Sequence, residues 1–120
     1  MRPFFRETTL DLGVAAEGRA ARYLVRHGYH IVERNYRCRA GELDIIAREG
    51  EVLAFVEVRS RASARFGHAV TAISPAKQRQ VARVAACYLA YRRPQVARCR
   101  FDVVALTGDE ILLLRDAWRL

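Results

Sequence analysis

Lysine is nearly missing from this chain: Lys77 is the single one, and the rest of the 21 basic residues are arginine. No apolar run approaches the roughly eighteen residues that a membrane-spanning helix needs, so no membrane partner is expected. The first residues, MRPFFRETT, hold two Phe but no apolar core with a small-residue cleavage site, so no secretory leader is expected. Cysteine is scarce, with 3 residues (Cys38, Cys87, Cys99) and no C-x-x-C, which argues against a zinc knuckle. An odd cysteine count without a leader fits a reducing, cytoplasmic setting. His27, His30 and His68 show no ligand spacing and read as structural or surface residues. Internal repeats and low-complexity segments are absent. The 120 residues therefore read as one globular domain, 1–120, and with 52% hydrophobic residues the core needs no disulfide.

What is present in excess is positive charge. The formal net charge is +8, with 21 basic residues against 13 acidic. In so small a domain this points to a polyanionic partner, and guanidinium forks suit phosphate oxygens. Richness in Arg, Ala and Val also fits a GC-rich coding sequence, so charge alone leaves the partner open.

Periodicity predicts a helix over 9–27, closed by Gly28. Leu10, Val14, Ala21 and Leu24 form its apolar stripe, with Arg19, Arg22 and Arg26 opposite. Gly13 and Gly18 flank the stripe and are expected to permit a close approach to the sheet. A strand over 29–36 follows, then a turn over 37–41. Two strands, 43–48 and 51–59, are joined at Glu49-Gly50. Residues 60–73 read as a loop, and Ser74-Pro75 opens a helix that runs to about Arg92 before Pro94. A strand over 100–106, a turn over 107–110 and a strand over 111–114 complete the order α-β-β-β-α-β-β. Asp102 shares a strand face with Val104 and Leu106 and is expected to be a buried polar contact.

Parity within the hairpin locates the acids. A two-residue loop at Glu49-Gly50 pairs Ala47 with Val52, Ile45 with Ala54 and Leu43 with Val56, which makes one face wholly apolar. The other face carries Glu42, Asp44, Glu57 and Arg59 away from the turn, with Asp44 diagonal to Glu57. Carboxylates this close repel and raise one another's pKa. A divalent cation would relieve them, and Mg²⁺ favours one or two carboxylates completed by water and phosphate oxygens. An ion-pair network neutralised by Arg59 and neighbouring arginines would explain the same cluster. Glu17 sits on the first helix's stripe between Val14 and Ala21, where a carboxylate is rarely left without a partner. From there it reaches the acidic end of the sheet.

The segment NYRCRAGELDIIAREGEVLAFVEVRSR, residues 35–61, resembles the YraN family of small uncharacterised bacterial proteins. The matching features are Asn35-Tyr36-Arg37, Gly41-Glu42-Leu43-Asp44 and Phe55-Val56-Glu57-Val58-Arg59. Gly13, Ala16, Glu17, Phe66-Gly67 and Arg100-Phe101-Asp102-Val103-Val104 also match. That family is similar in turn to the PD-(D/E)xK nucleases, archaeal Holliday junction resolvases among them. The resemblance implies a restriction endonuclease-like α/β core, a central mixed sheet flanked by helices. It implies an acid on the first helix, matched by Glu17, an Asp on a central strand, matched by Asp44, and an acid-x-Lys triplet on the next. Glu57-Val58-Arg59 matches that triplet except that Arg replaces Lys.

The function so implied is a Mg²⁺- or Mn²⁺-dependent endonuclease acting on DNA, branched or structured DNA included. Asp44 and Glu57 would ligate the metal, with Glu17 helping directly or through water. Arg59 would stabilise charge on the phosphate but stays protonated and cannot be a general base. Arg37, Arg61 and Arg65 would hold the nucleic-acid backbone, and Phe66 would stack on a base or pack. Lys77, in the first turn of the second helix, would either snorkel to water or reach the cleft rim and contact a phosphate. The rival function is a nucleic-acid-binding protein that keeps the fold without the chemistry; a third is a module that docks acidic proteins. Analogy with junction resolvases implies a homodimer.

Overall fold

Seven elements follow one another along the chain: α1 (Thr9–Arg26), β1 (His30–Cys38), β2 (Gly41–Glu49), β3 (Val52–Arg61), α2 (Pro75–Arg92), β4 (Arg98–Thr107) and β5 (Glu110–Trp118). The structure is a computed structural model and describes residues 9–62 and 73–119. The strands form one sheet in the order β1-β2-β3-β4-β5. All neighbours are antiparallel except β3 and β4, which run parallel. A parallel pair needs a crossover, and α2 lies in it. The element order and the mixed α/β sheet are those expected from the sequence.

Sheet and helices meet in two cores. On one face Ala16, Ala20, Ala21 and Leu24 of α1 pack over Ile45, Ala54 and Val56. On the other, Val81, Val84, Ala85 and Tyr88 of α2 pack over Leu43, Ile46, Leu53 and Phe55. β3 is therefore buried on both faces from Val52 to Val58, and Glu57 lies within that run. Helix α2 begins where Ser74 Oγ accepts the Lys77 backbone N–H at 3.1 Å, with Pro75 in the first turn. It ends at Arg93 in a left-handed conformation, whose N–H donates to the Leu89 carbonyl at 3.1 Å.

Several local expectations need correction. The hairpin turn is at Gly50-Glu51, so Glu49 pairs with Val52, Ala47 with Ala54 and Ile45 with Val56. The pairing is thus displaced by two residues, which leaves Ile45, Ala47, Ala54 and Val56 on the face assigned to them. Leu43 is the exception. It packs with the α2 core while Ile45 packs with the α1 core, so alternation breaks at Asp44. Opposite this break, Asn35 of β1 has φ 55°. Strands β1 and β2 continue to Cys38 and back to Gly41, which shortens the expected turn over 37–41 to Arg39-Ala40. β4 and β5 are longer than read: β4 already begins at the exposed Arg98 and Cys99, and β5 runs on through the exposed Arg115 and Asp116 to the buried Trp118. On α1, Val14 is exposed and the packed stripe runs through Ala16 and Ala20 instead. Gly13 has open space where a Cβ would sit, and Gly18 faces only its own helix's Arg22; the small residues that bring α1 close to the sheet are alanines. Arg65, Phe66, His68 and the side chain of Leu10 lie outside the described residues.

Candidate active site

The sheet forks between β2 and β3. Their ladder runs from Glu49↔Val52 to Ile45↔Val56 and goes no farther. Beyond it β2 pairs only with β1, through Tyr36↔Leu43 and Arg37↔Glu42, and β3 only with β4, through Glu57↔Val103 and Val58↔Val104. Asp44 bridges the fork: its Oδ2 accepts the Val58 backbone N–H at 2.8 Å, in the place of a strand carbonyl. This bond directs the carboxylate into the fork and satisfies a donor that the split would orphan.

Glu57 sits beside Asp44 and is 1% exposed. Its Oε2 lies 3.4 Å from Arg59 Nη2 and 3.9 Å from Lys77 Nζ. Its Oε1 is buried and has no hydrogen-bond partner among the described residues. Burial first, and then the Asp44 charge, push the Glu57 carboxyl up to about 8, against the opposing pull of Lys77 and Arg59. Asp44 is raised as well, by burial, although the Val58 N–H and the Arg59 charge oppose this.

Glu17 completes the acidic group from α1. It lines one cleft with Asn35, Glu42, Asp44 and Lys77, and with Asp44, Val58 and Arg59 it lines the adjoining hollow. Burial and the Asp44 charge raise its pKa. With its amide turned to donate, Asn35 Nδ2 lies 2.8 Å from Glu17 Oε1 and 3.1 Å from both Glu17 Oε2 and Glu42 Oε1. One amide therefore holds two like-charged side chains in place. Asn35 belongs to the site and was not singled out for it from the sequence. Its signal was chemical: Asn is the side chain that best tolerates a left-handed backbone and can still donate.

Lys77 is placed by Gln80, one turn further along α2. Lys77 Nζ donates to Gln80 Oε1 at 3.3 Å, and Gln80 Nε2 donates to the Ala40 carbonyl at 3.4 Å. Gly41, at φ 140°, leaves room for this amide: a Cβ there would stand 2.5 Å from Gln80 Nε2. Of the other basic candidates, Arg37 is exposed and pairs with Glu42 at 3.5 Å. Arg61 ends β3, with its Nε buried and unpartnered among the described residues. The structure thus brings Glu17, Asp44, Glu57, Arg59 and Lys77 together and leaves Arg37 at the rim.

Two carboxylates, one with a buried oxygen that no described residue satisfies, fit what Mg²⁺ or Mn²⁺ asks of a protein that leaves other positions to water and phosphate. Among the described residues no group of three or more His, Cys, Asp or Glu side chains is arranged to hold a metal ion. Glu17 faces the same cleft, but its carboxylate is already held by the Asn35 amide.

A second cleft, at the other end of the sheet, is lined by Arg98, Arg100, Phe101, Arg115, Trp118 and Arg119. Its charges are largely engaged internally. Asp102, fully buried, accepts from Tyr29 Oη at 2.7 Å, Arg100 Nε at 2.8 Å and the Asp116 N–H at 2.9 Å. Glu49 is gripped by Arg100 and Arg115, which hold its carboxyl down at about 2. This network ties β5 and the start of β1 to the hairpin. It gives Asp102 the buried polar role expected for it.

The family model of the uncharacterised protein family UPF0102 matches residues 16–106. That span includes Glu17, Asn35, Asp44, Glu57, Arg59 and Lys77. A UPF0102 protein of Alkalilimnicola ehrlichii is 47% identical over 118 residues, covering 98% of this chain and 94% of the relative. One of Syntrophus aciditrophicus is 45% identical over 121 residues, covering 97% and 95%. One of Lachnoclostridium phytofermentans is 46% identical over 107 residues, covering 88% and 91%. These matches support the YraN-family resemblance read from the sequence, and the chain belongs to the uncharacterised protein family UPF0102.

Proposed function

We propose that this protein is a cytoplasmic, metal-dependent phosphodiesterase acting on DNA. The observation that carries this is the fork itself: Asp44 and Glu57 side by side, Glu57 Oε1 without a partner among the described residues, and Lys77 and Arg59 on the same carboxylate. An ion-pair network built for stability would satisfy both Glu57 oxygens. Asp44 and Glu57 would hold the metal, and Glu17 would act on it through water, since Asn35 already binds its carboxylate. A bound Mg²⁺ or Mn²⁺ would lower the pKa of a water and offset charge on the phosphate. Arg59 and Lys77 would turn from Glu57 towards a phosphate oxygen and stabilise the charge that develops there. Arg61 and Arg65 would grip the flanking backbone. A net charge of +8 favours a polyanion as the substrate.

A second function is favoured by one observation. Arg59 stands in the triplet position where the nuclease pattern has Lys, and it is paired with Glu57. A protein that binds nucleic acid without cutting it would keep such a pair. Incubation with branched, single-stranded and linear DNA, with Mg²⁺ or Mn²⁺ and beside Asp44→Asn, decides between the two. Metal-dependent cleavage lost in Asp44→Asn supports the phosphodiesterase; salt-sensitive binding without cleavage supports the binding protein.

A further inference from the structure

The cleft at the far end of the sheet takes no part in the chemistry of the acidic group. It measures about 420 Å³ and is lined by Val52, Phe101 and Trp118 together with Arg98, Arg115 and Arg119. An irregularity in β5 builds its apolar wall. Val103 pairs with Leu114 and Phe101 with Trp118, so between those pairs one residue of β4 faces three of β5. Asp116 takes up the excess at φ 55°, and its N–H donates to Asp102 Oδ1 at 2.9 Å. The Trp118 ring is thereby laid on Phe101, within 10° of parallel and with ring centres 4.9 Å apart.

The arginines around this wall are not equivalent. Glu49 takes up Arg115 and Arg100, and Asp102 binds Arg100 as well. Arg119 is 84% exposed and pairs with Asp116, three residues away, in a contact that water weakens. Arg98 is exposed, and its side chain has no hydrogen bond or ion pair among the described residues. One uncommitted guanidinium and one loosely held one therefore stand beside an apolar aromatic wall.

We propose that this cleft binds a nucleoside phosphate, as a free nucleotide or as the terminal nucleotide of a DNA strand. Such a ligand has one flat, largely apolar part and one anionic part. The base lies against Val52, Phe101 and Trp118, and the phosphate takes the guanidinium forks of Arg98 and Arg119. The volume is in the range of pockets that hold small ligands. An inorganic anion would leave the wall bare, and an apolar ligand would leave Arg98 without a partner. The site is separate from the acidic cleft: Val52 lines this one and Val58 the hollow beside Asp44, about 20 Å apart along β3. It requires no metal, so it stands or falls independently of the proposed phosphodiesterase.

Trp118 is the single tryptophan of the chain, so its fluorescence reads the site directly. The full chain, in chelator and without added metal, is titrated with deoxyadenosine monophosphate, with deoxyadenosine and inorganic phosphate as competitors. The nucleotide should change Trp118 emission to saturation, and each competitor should bind more weakly by about tenfold or more. Arg98→Ala, at an exposed position, should weaken the nucleotide about tenfold, the loss of one charge-assisted contact. Asp44→Asn should leave its affinity unchanged. A single-stranded oligonucleotide with a terminal phosphate that binds more tightly than the nucleotide assigns the site to a strand end; one that binds no better assigns it to free nucleotide. No change in emission, phosphate that competes as well as the nucleotide does, full affinity in Arg98→Ala, or affinity lost in Asp44→Asn would each overturn the proposal.

Discussion

Lys77 Nζ, on α2, lies 3.9 Å from Glu57 Oε2, the oxygen that Arg59 also approaches at 3.4 Å. Two cations thus share one oxygen of a buried carboxylate, and the other has no partner among the described residues. Even so, the Glu57 carboxyl is raised to about 8, because burial and Asp44 outweigh both cations.

That balance sets a pH dependence. A carboxyl whose folded pKa exceeds its unfolded value of 4.5 stabilises the fold fully below that value, and the benefit is lost as pH rises through about 8. Wild-type melting temperature should therefore fall between those limits, by an amount equivalent to about 2–4 kcal/mol. Glu57→Gln, always neutral, should flatten the profile and melt above wild type at pH 8. Melting curves across the range check this. A wild-type profile as flat as the variant's would contradict it.

Asp44 can be tested by two substitutions that differ in one respect. Asp44→Asn keeps an oxygen to accept the Val58 N–H and removes the charge that repels Glu57. Its stability should equal or exceed wild type, and any Mg²⁺-induced rise in melting temperature should vanish. Asp44→Ala leaves the Val58 N–H unsatisfied in the fork, at a cost of about 1–3 kcal/mol. Denaturant unfolding of both, with and without Mg²⁺, separates the roles. A destabilised Asp44→Asn that still responds to Mg²⁺ would assign Asp44 to a structural ion pair.

Asn35 holds Glu17 and Glu42 together through one amide, at a left-handed backbone position. Asn35→Asp keeps the shape and tolerates the backbone but adds a third negative charge and loses the donor. It should lower the melting temperature by several degrees at pH 7, with most of the loss recovered near pH 4, where carboxylates protonate. Asn35→Gly keeps the backbone and loses only the amide, so its deficit should not depend on pH in this way.

Much of the fold was legible because burial leaves periodic marks. The hairpin's faces follow from alternation alone, and they survive a mistaken turn position because the pairing moved by two residues. Leu43 was not legible. Its face depends on the break at Asp44, which no alternation rule foresees. Val14 misled because its hydrophobicity matched the stripe, whereas close packing of α1 is set by the size of Ala16 and Ala20. The acids were legible as a cluster, but the sheet fork that brings Asp44 and Glu57 together is a tertiary feature.

The buried network around Asp102 predicts a graded series. Tyr29→Phe removes one donor to Asp102 Oδ2 and should cost about 1–3 kcal/mol. Asp102→Ala strips Arg100 of a partner that is wholly buried and should cost more, about 3–5 kcal/mol. Neither should alter the Mg²⁺ response, because the network lies away from the acidic cleft. Chemical denaturation orders the pair, and loss of the Mg²⁺ response in Tyr29→Phe would break the separation of the two ends.

Lys77 gives the last prediction. Its ammonium is one of two cations on Glu57, and Gln80 holds it there. An ammonium is compact and can turn from carboxylate to phosphate, whereas a guanidinium in its place is broader and spreads its charge over a planar fork. Lys77→Arg should therefore keep DNA affinity within about twofold yet lower metal-dependent cleavage at least tenfold, a loss of about 1.4 kcal/mol of transition-state stabilisation. Lys77→Ala should weaken both, and it should raise the Glu57 pKa further, because one of the two opposing charges is gone. Gly41→Ala tests the same device from outside the site. Its Cβ would press on Gln80 Nε2, displace the amide and release Lys77, so cleavage should fall while Lys77 itself is intact. Single-turnover cleavage and titration of labelled DNA, measured for all three variants, read the two effects apart. If Lys77→Arg and Lys77→Ala both cut and bind as wild type does, Lys77 is only a counter-charge for Glu57.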